Sequence, residues 1–247
     1  MWSKHEVNAL KNNYLNRGED YISKIINKSP NAIRIKAGRL GIGKLAQREK
    51  IRLSDMEEQV ILGGLLGDLY CRIKKTCKNA QIEGAHCKKQ EPYLLWKLNL
   101  LKSLSFNLRR TKLDALFFES RIYPCLNYYH RLFYPKGKKQ IKPEILDKVS
   151  EFGLAIWYMD DGSYSRRDKN CNLYTNGFTP AENLLIKKWF GSRWDIFPSI
   201  YIHKETKRYP GKEWHFLHFK RLETKKLINI IKNYIHPSMK YKIGVFN

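Results

Sequence analysis

The first 42 residues show apolar side chains at helical spacing in three short segments. In "SKHEVNALKNNYL" the apolar positions Val7, Leu10 and Tyr14 recur every three or four residues, as on one face of a helix. "EDYISKIIN" and "SPNAIRIKAGRLGI" show the same spacing, and Ser29 followed by Pro30 is typical of a helix start. We therefore predict a small all-helical unit of three helices over residues 1–42.

A different pattern occupies the rest of the chain, where one arrangement of elements occurs twice. After a basic linker at 43–53, an apolar helix is expected to end on Asp68, and a second one on Asp161. Strand-like segments and a further helix follow each of them, "EPYLLWKLNLLKSL" in the first half and "PAENLLIKKWFGSRW" in the second. The pattern predicts an α+β region built from two diverged copies of one unit, at 54–148 and 149–247.

Both apolar helices end on carboxylates, at the point where a helix already carries partial negative charge. The second helix ends on two of them, Asp160 and Asp161, which are followed by Gly162. Acidic side chains at a helix C-terminus are unfavourable unless a cation lies close to them. The pattern therefore indicates a cation at the place where these two helices end.

The composition is typical of a folded protein that binds a polyanion. The 247 residues are 43% hydrophobic, and 47 Lys and Arg against 23 Asp and Glu give a net charge of +24, which favours nucleic-acid binding. The five cysteines form no CxxC pair, and no apolar run is long enough to span a bilayer. We expect no disulfide framework, no zinc ribbon and no membrane partner. The expected location is a reducing compartment that contains DNA: a bacterial or phage-infected cytoplasm, or an organelle.

Two segments, "ILGGLLGDLY" and "LAIWYMDDGSY", resemble the paired signature motif of the LAGLIDADG homing endonucleases. The residues that match the motif are Gly63, Gly67 and Asp68 in the first segment, and Asp161 and Gly162 in the second. The resemblance covers residues 54–247 and is closest to the single-chain members, which carry both motifs in one polypeptide. It implies two pseudo-symmetric αββαββα repeats, whose four-stranded sheets form a DNA-binding saddle in a monomer.

Each motif departs from the family pattern at one position. Leu69 stands where the first motif would have glycine, and Ile156 stands at the third position of the second motif. Because a glycine at that third position lets the two helices approach closely, we expect the second helix to use another small residue, such as Ala155, instead.

The resemblance implies a metal site where the two signature helices end. Asp68 and Asp161 would hold the metal, with the backbone carbonyls of Gly67 and Asp160 as further ligands. Mg²⁺ is the expected ion, because it prefers carboxylate and carbonyl oxygens, and Mn²⁺ is the expected substitute. The side chain of Asp160 is expected to cap or support the helix end, since it points elsewhere on the helix.

Two lysines are candidates for a direct role in the reaction. "PKGKKQIKPEIL" and "HPSMKYKI" resemble the lysine-bearing stretches of the family and point to Lys139 and Lys242. The first match is imperfect, because Lys142 separates the isoleucine from the proline. Each lysine would stabilise charge on one phosphate or polarise the attacking water.

Basic and aromatic residues of the expected strands and of the third N-terminal helix are candidates for DNA contact, since Arg and Lys read guanine edges or bind phosphate. The candidates are Tyr70, Arg72 and Lys74 in the first repeat, and Arg166, Arg167, Lys204 and Lys207 in the second. The third N-terminal helix, in a unit that resembles helix-turn-helix modules of the homeodomain or Myb kind, adds Asn31, Arg34 and Arg39.

The sequence thus predicts a site-specific, Mg²⁺-dependent double-strand DNA endonuclease, intron-encoded, with a long and non-palindromic target. One alternative is an RNA maturase that assists splicing and takes intron RNA as its partner. Another is a transcription regulator that binds DNA without cutting it. Neither alternative needs metal-binding acids, so the retention of Asp68 and Asp161 favours cleavage.

Overall fold

The chain divides into two units in the computed structural model. One comprises Met1–Arg52 with Tyr123–Cys125, and the other comprises Leu53–Ile122 with Leu126–Asn247. The structure describes residues 2–43, 48, 50–111, 114–205 and 212–244. Within these ranges no helix is both long enough and apolar enough to cross a bilayer.

In the described part of the N-terminal unit lie the helices α1 (Lys4–Ile26) and α2 (Pro30–Arg39). The sequence pattern predicts two helices where α1 lies. These two are continuous in the structure, and they meet at a kink where Gly18 has φ +74° and ψ 179°. Glycine adopts this conformation at little cost, so the chain bends there without ending the helix. The apolar faces of α1 and α2 form one small core, which includes Leu10, Tyr14 and Ile33.

The larger unit repeats one order of helices and strands. The first repeat consists of α3 (Asp55–Leu66), β1 (Tyr70–Arg72), β2 (Gln81–Cys87), α4 (Glu91–Leu100), β3 (Phe106–Arg110), β4 (Ala115–Ser120) and α5 (Leu126–Phe133). After the short α6 (Pro143–Leu146), the second repeat consists of α7 (Glu151–Asp161), β5 (Gly162–Ser165), β6 (Asn170–Leu173), α8 (Pro180–Trp194), β7 (Ser199–Glu205), β8 (Lys212–Phe219) and α9 (Arg221–Ile231). The αββαββα order implied by the resemblance is therefore confirmed.

Each repeat forms one antiparallel four-stranded sheet. The strand orders are β1-β2-β4-β3 and β5-β6-β8-β7, so the two sheets have the same topology. In each repeat the side chains of one sheet face pack on the helices, as Phe118 and Leu217 do, while the other face is turned away from them. We call this second face the outward face of the sheet. Because side chains alternate along a strand, every second residue of a strand belongs to it.

The two signature helices, α3 and α7, pack against each other at very short range. A Cβ at Gly63 would overlap the carbonyl oxygen of Gly153, so only glycine fits at this crossing. The small residue opposite Gly63 is thus Gly153, and the expectation that Ala155 would serve this purpose was wrong. Gln59 joins the helices further, because its side chain accepts from the backbone N–H of Ser150 at 2.8 Å. The short separation brings the C-terminal ends of both helices to one place.

Candidate active site at the ends of the paired helices

The last turns of α3 and α7 are in direct contact. The backbone N–H of Asp68 donates to Oδ2 of Asp160 at 3.3 Å. A Cβ at Gly67 would lie 2.6 Å from the Cβ of Asp160, so a side chain at position 67 would displace that carboxylate. Asp68 and Asp161 adjoin this contact, one from each repeat. The fold therefore gathers the predicted acids at the place where the two helices end.

Each helix end is met by one lysine. Lys139 donates through Nζ to the carbonyl oxygens of Gly67 and Leu69, at 3.3 and 3.0 Å. Lys242 donates in the corresponding manner to the carbonyl oxygen of Asp160 at 2.9 Å. An ammonium group at this position offsets the partial negative charge of a helix C-terminus. These two ammonium groups are therefore cations at the place where the sequence pattern predicts one, the ends of the two helices.

Burial shifts the ionisable groups of the site toward their neutral forms. It raises the pKa of Asp161 from 3.8 to about 7, and the charges of Asp68 and Asp160 add to this rise. Burial also raises the pKa of Asp68. It lowers the pKa of Lys139 from 10.5 to about 8, and it lowers the pKa of Lys242. A divalent cation beside the carboxylates would favour their charged forms, so this environment suits such an ion.

The carboxylates differ in how free they are to bind a metal. Ligand atoms of Asp68, His86 and Asp160 lie within 4.8 Å of one another, which is the spacing of a metal site. However, the carboxylate of Asp160 already accepts two hydrogen bonds from the ammonium group of Lys97. A second cation there would compete with that ammonium group. Asp68 and Asp161 remain as the acids that fit Mg²⁺, which is held by a few carboxylates and keeps several waters.

A buried ion pair joins the two repeats directly behind Asp68. Lys97 on α4 lies 2.8 and 2.6 Å from the two carboxylate oxygens of Asp160 on α7, and the two side chains are 1% and 0% exposed. The hydroxyl of Tyr93, also on α4, donates to Oδ1 of Asp160 at 2.8 Å. Asp160 thus lies in the second repeat, but its side chain binds Lys97 and Tyr93 of the first repeat. The same side chain accepts from the backbone N–H of Asp68 and so holds it in place.

The residues around this ion pair were not predicted from the sequence. They are Lys97, Tyr93 and His86, whose Nδ1 lies 3.8 Å from Oδ2 of Asp68. One signal was present in the sequence, because Lys97 is the only charged residue in the apolar run "YLLWKLNLL". A lysine in such a run is buried only with a partner. That partner is 63 positions away along the chain, so the sequence did not identify it.

The DNA-contact candidates of the first repeat lie on the outward face of its sheet. Tyr70 and Arg72 flank a buried position of β1 and so share this face. The ammonium group of Lys74 reaches it through an ion pair with Glu119 at 3.1 Å. Arg109 on β3 lies two positions beyond the residue that pairs with Glu119, so it has the same orientation. Arg109 was not among the candidates predicted from the sequence.

The candidates of the second repeat are placed differently. Lys204 lies on the same side of β7 as Ile200, which pairs with the buried Leu217, so Lys204 is not on the outward face. Its ammonium group forms an ion pair with Glu213 at 2.9 Å. The remaining candidates are Arg166 and Arg167, which are exposed in the turn after β5, and Lys207, which lies outside the described residues.

Comparison with known proteins identifies the family of the region that contains both signature helices. A model of the LAGLIDADG DNA endonuclease family matches residues 58–227, and the chain belongs to this family. The homing endonuclease I-WcaI, solved in complex with its DNA recognition sequence, has a TM-score of 0.69 to this chain at 22% sequence identity. The match covers 86% of this chain and 98% of that chain, which shows that the two share a fold.

Two relatives show how far the similarity in sequence extends. A protein RecA of Mycolicibacterium chitae is 30% identical over 224 residues, covering 85% of this chain and 53% of that protein. The probable intron-encoded endonuclease 1 of Wickerhamomyces canadensis is 28% identical over 215 residues, covering 79% of this chain and 86% of that protein. The chain spans about half the length of the RecA relatives that it matches.

The buried ion pair gives a prediction about stability. Lys97→Met leaves the carboxylate of Asp160 buried without a counter-ion, so we expect it to lower the free energy of unfolding by about 3–5 kcal/mol. Chemical denaturation followed by circular dichroism measures this change. The double variant Lys97→Met with Asp160→Asn is the control, because it removes both charges and should recover most of the loss. A single variant as stable as the parent would show that the pair is solvated in solution.

The raised pKa of Asp161 gives a prediction about pH. Its pKa is about 7 in the folded protein against an ordinary 3.8, so the folded state binds the proton more tightly than the unfolded state does. The resulting stabilisation is complete below the unfolded pKa and is lost as the pH rises through the folded pKa. In EDTA, the melting temperature of Asp161→Asn relative to the parent should therefore rise between about pH 4 and about pH 7. A constant difference across that range would contradict the assignment.

Proposed function

We propose that the chain is a site-specific double-strand DNA endonuclease that uses Mg²⁺ or Mn²⁺ at Asp68 and Asp161. The observation that carries this proposal is the pairing of two carboxylates with two lysines, one of each at the end of each signature helix. Family membership supports the reaction class. The net charge of +24 supports a polyanionic substrate.

Each part of the site has one role in this reaction. Held by Asp68 and Asp161, the metal would activate the attacking water and stabilise the leaving alkoxide. Lys139 and Lys242 would stabilise the negative charge that develops on the scissile phosphates, one lysine for each strand. The buried pair of Lys97 with Asp160 keeps the backbone of Asp68 in place while these charges change. Both repeats lie in one chain, so a monomer can cut both strands.

Cleavage of a selected DNA site tests the proposal. Purified protein with Mg²⁺ should release cut ends from a library of random DNA sites, and Ca²⁺ should support binding with little cutting, because its coordination is looser. Asp68→Asn and Asp161→Asn should each slow cleavage by at least about 100-fold, while affinity in Ca²⁺ stays equal or rises. The matched control is Asp147→Asn, an exposed acid ahead of α7 that should leave cleavage unchanged.

Two outcomes would replace this proposal with the alternatives. A folded sample that binds one defined site but never cuts it in Mg²⁺ or Mn²⁺ would favour a transcription regulator. A sample that ignores duplex DNA but binds structured intron RNA would favour a maturase.

The N-terminal unit is proposed to add DNA contacts outside the cleavage site. Asn31, Arg34 and Arg39 are exposed on α2, whose opposite side carries the buried Ile33 and Ala37. The guanidinium group of Arg34 is held by the side-chain oxygen of Asn31 at 2.7 Å, which orders it on the helix surface. An exposed basic helix in a small helical unit is the arrangement that helix-turn-helix modules place against DNA.

The salt dependence of binding tests this contribution. Each phosphate contact contributes about 0.9 to the slope of log affinity against log salt, so Arg34→Ala with Arg39→Ala should reduce the slope by up to about 1.8. Cleavage should occur at the same phosphates, since the acids are untouched. Lys188→Ala with Lys225→Ala, on helices that cover the other face of the second sheet, is the control with equal charge loss. Equal slopes for the two double variants would refute a DNA role for α2.

A further inference from the structure

The outward face of the first sheet carries two adjacent charged pairs among uncharged residues such as Tyr70 and Phe117. Arg72 of β1 lies 2.9 Å from Oε2 of Glu83 on β2, and Lys74 lies 3.1 Å from Oε2 of Glu119 on β4. Glu83 and Glu119 are cross-strand partners, so the two ion pairs are adjacent. Arg109 stands on the same face at β3. This sheet therefore presents strong donors and strong acceptors side by side.

The outward face of the second sheet has the opposite character. Tyr201 pairs with Phe216 across β7 and β8, and Asn172 pairs with His218 across β6 and β8. The rings of Tyr201 and His218 stack with centroids 4.5 Å apart. The ring centroids of Tyr174 and Phe216 are 5.6 Å apart. Among the outward positions that the structure describes on β5 to β8, residues with a carboxylate or an ammonium group occur only where Glu205 pairs with Lys212, at the end of the β7–β8 pair.

Two histidines, His203 and His218, lie on this face, and His218, the one beside Asn172, does not supply the missing charge. Burial lowers the pKa of His218, and the nearby charge of Lys220 lowers it further. Its Nδ1 lies 2.8 Å from Oδ1 of Asn172, so the two side chains form a neutral pair. The part of the face around Asn172, Phe216 and His218 is therefore uncharged, in a chain of net charge +24, and such a surface is poorly suited to phosphates. It is better suited to the edges of bases.

The two faces match different base pairs in the major groove. Guanine offers two acceptors to Arg or Lys, and the amino group of its partner cytosine is a donor to Glu. Adenine instead pairs with the amide of Asn, and the methyl group of thymine takes apolar and aromatic contacts. The charged pairs of the first sheet are complementary to G·C, whereas the neutral amides and rings of the second sheet are complementary to A·T.

From these contacts we infer that the two halves of the DNA target differ in composition. The half-site under the first sheet contains G·C pairs at the positions read by Arg72 and Arg109. The half-site under the second sheet is rich in A·T, with thymine methyl groups against Phe216 and Tyr201. This inference rests on the proposed function, because it assumes that both outward faces lie in the major groove.

Base analogues in the selected site test the inference on the full-length protein. Deoxyuridine in place of thymidine removes only the methyl group, and 7-deazaguanine in place of guanine removes only the N7 acceptor. Affinity is measured in Ca²⁺ for each analogue in each half. We expect deoxyuridine to weaken binding in one half only and 7-deazaguanine to weaken it in the other half only. Equal sensitivity of both halves to both analogues would overturn the inference.

Variants then assign each half to a sheet. Arg72→Ala should reduce the preference for G by about 5- to 150-fold at one position of the half that is sensitive to 7-deazaguanine. Phe216→Ser should abolish the deoxyuridine effect in the other half. Lys188→Ala, which lies on a helix behind the second sheet, is the control and should leave both profiles unchanged. Variants that alter the half opposite to the one expected would also overturn the inference.

The outcomes separate this inference from the proposed function. If no specific site emerges from the library in Mg²⁺ or Ca²⁺, the DNA-cleaving function fails and the inference fails with it. If a site is bound and cut but its halves do not differ in base composition, the function stands and only the inference fails.

Discussion

The contact between the last turns of α3 and α7 is the constraint on which the rest of the site depends. Glycine at positions 63 and 67 lets the helices approach until the side chain of Asp160 occupies the space beside Gly67. There the carboxylate would be an unpaired buried charge, which is costly, and Lys97 of the other repeat neutralises it. Close packing, the buried ion pair and the position of Asp68 are therefore one structural unit. A change in any of them moves an acid of the candidate active site.

Most of the fold and part of the candidate active site could be predicted from local sequence signals. The apolar helices that end on Asp68 and Asp161 and the duplicated order of elements predict two copies of one α+β unit without any long-range information, and the resemblance to the family implies their αββαββα order. The strands β3 and β4 were not apparent. The segment "FNLRR" is exposed along almost its whole length, so it lacks the alternation that marks a half-buried strand. Contacts between distant residues were missed because sequence patterns report only on near neighbours in the chain, as Gly153 opposite Gly63 and Lys97 beside Asp160 illustrate.

The two repeats differ least at the ends of their signature helices and most on the outward faces of their sheets. The helix ends remain alike, with one acid and one lysine on each side. The first repeat has Gly67 at the position that corresponds to Asp160, because a second carboxylate would not fit beside the side chain of Asp160. The outward sheet faces differ most, since Arg72 and Glu83 have uncharged counterparts in the second repeat, Ser165 and Asn172. A duplicated scaffold can keep its chemistry at the shared axis while its two surfaces contact different halves of a ligand.

The central claim is that Asp68 and Asp161 together hold a divalent metal against DNA. The most direct test is anomalous diffraction from crystals of the DNA complex grown with Mn²⁺. The account predicts metal density contacted by both of these carboxylates, with the carboxylate of Asp160 still bound to Lys97. Metal density at Asp160 and His86 with Asp161 uninvolved, or DNA bound in register with no metal near either helix end, would contradict it.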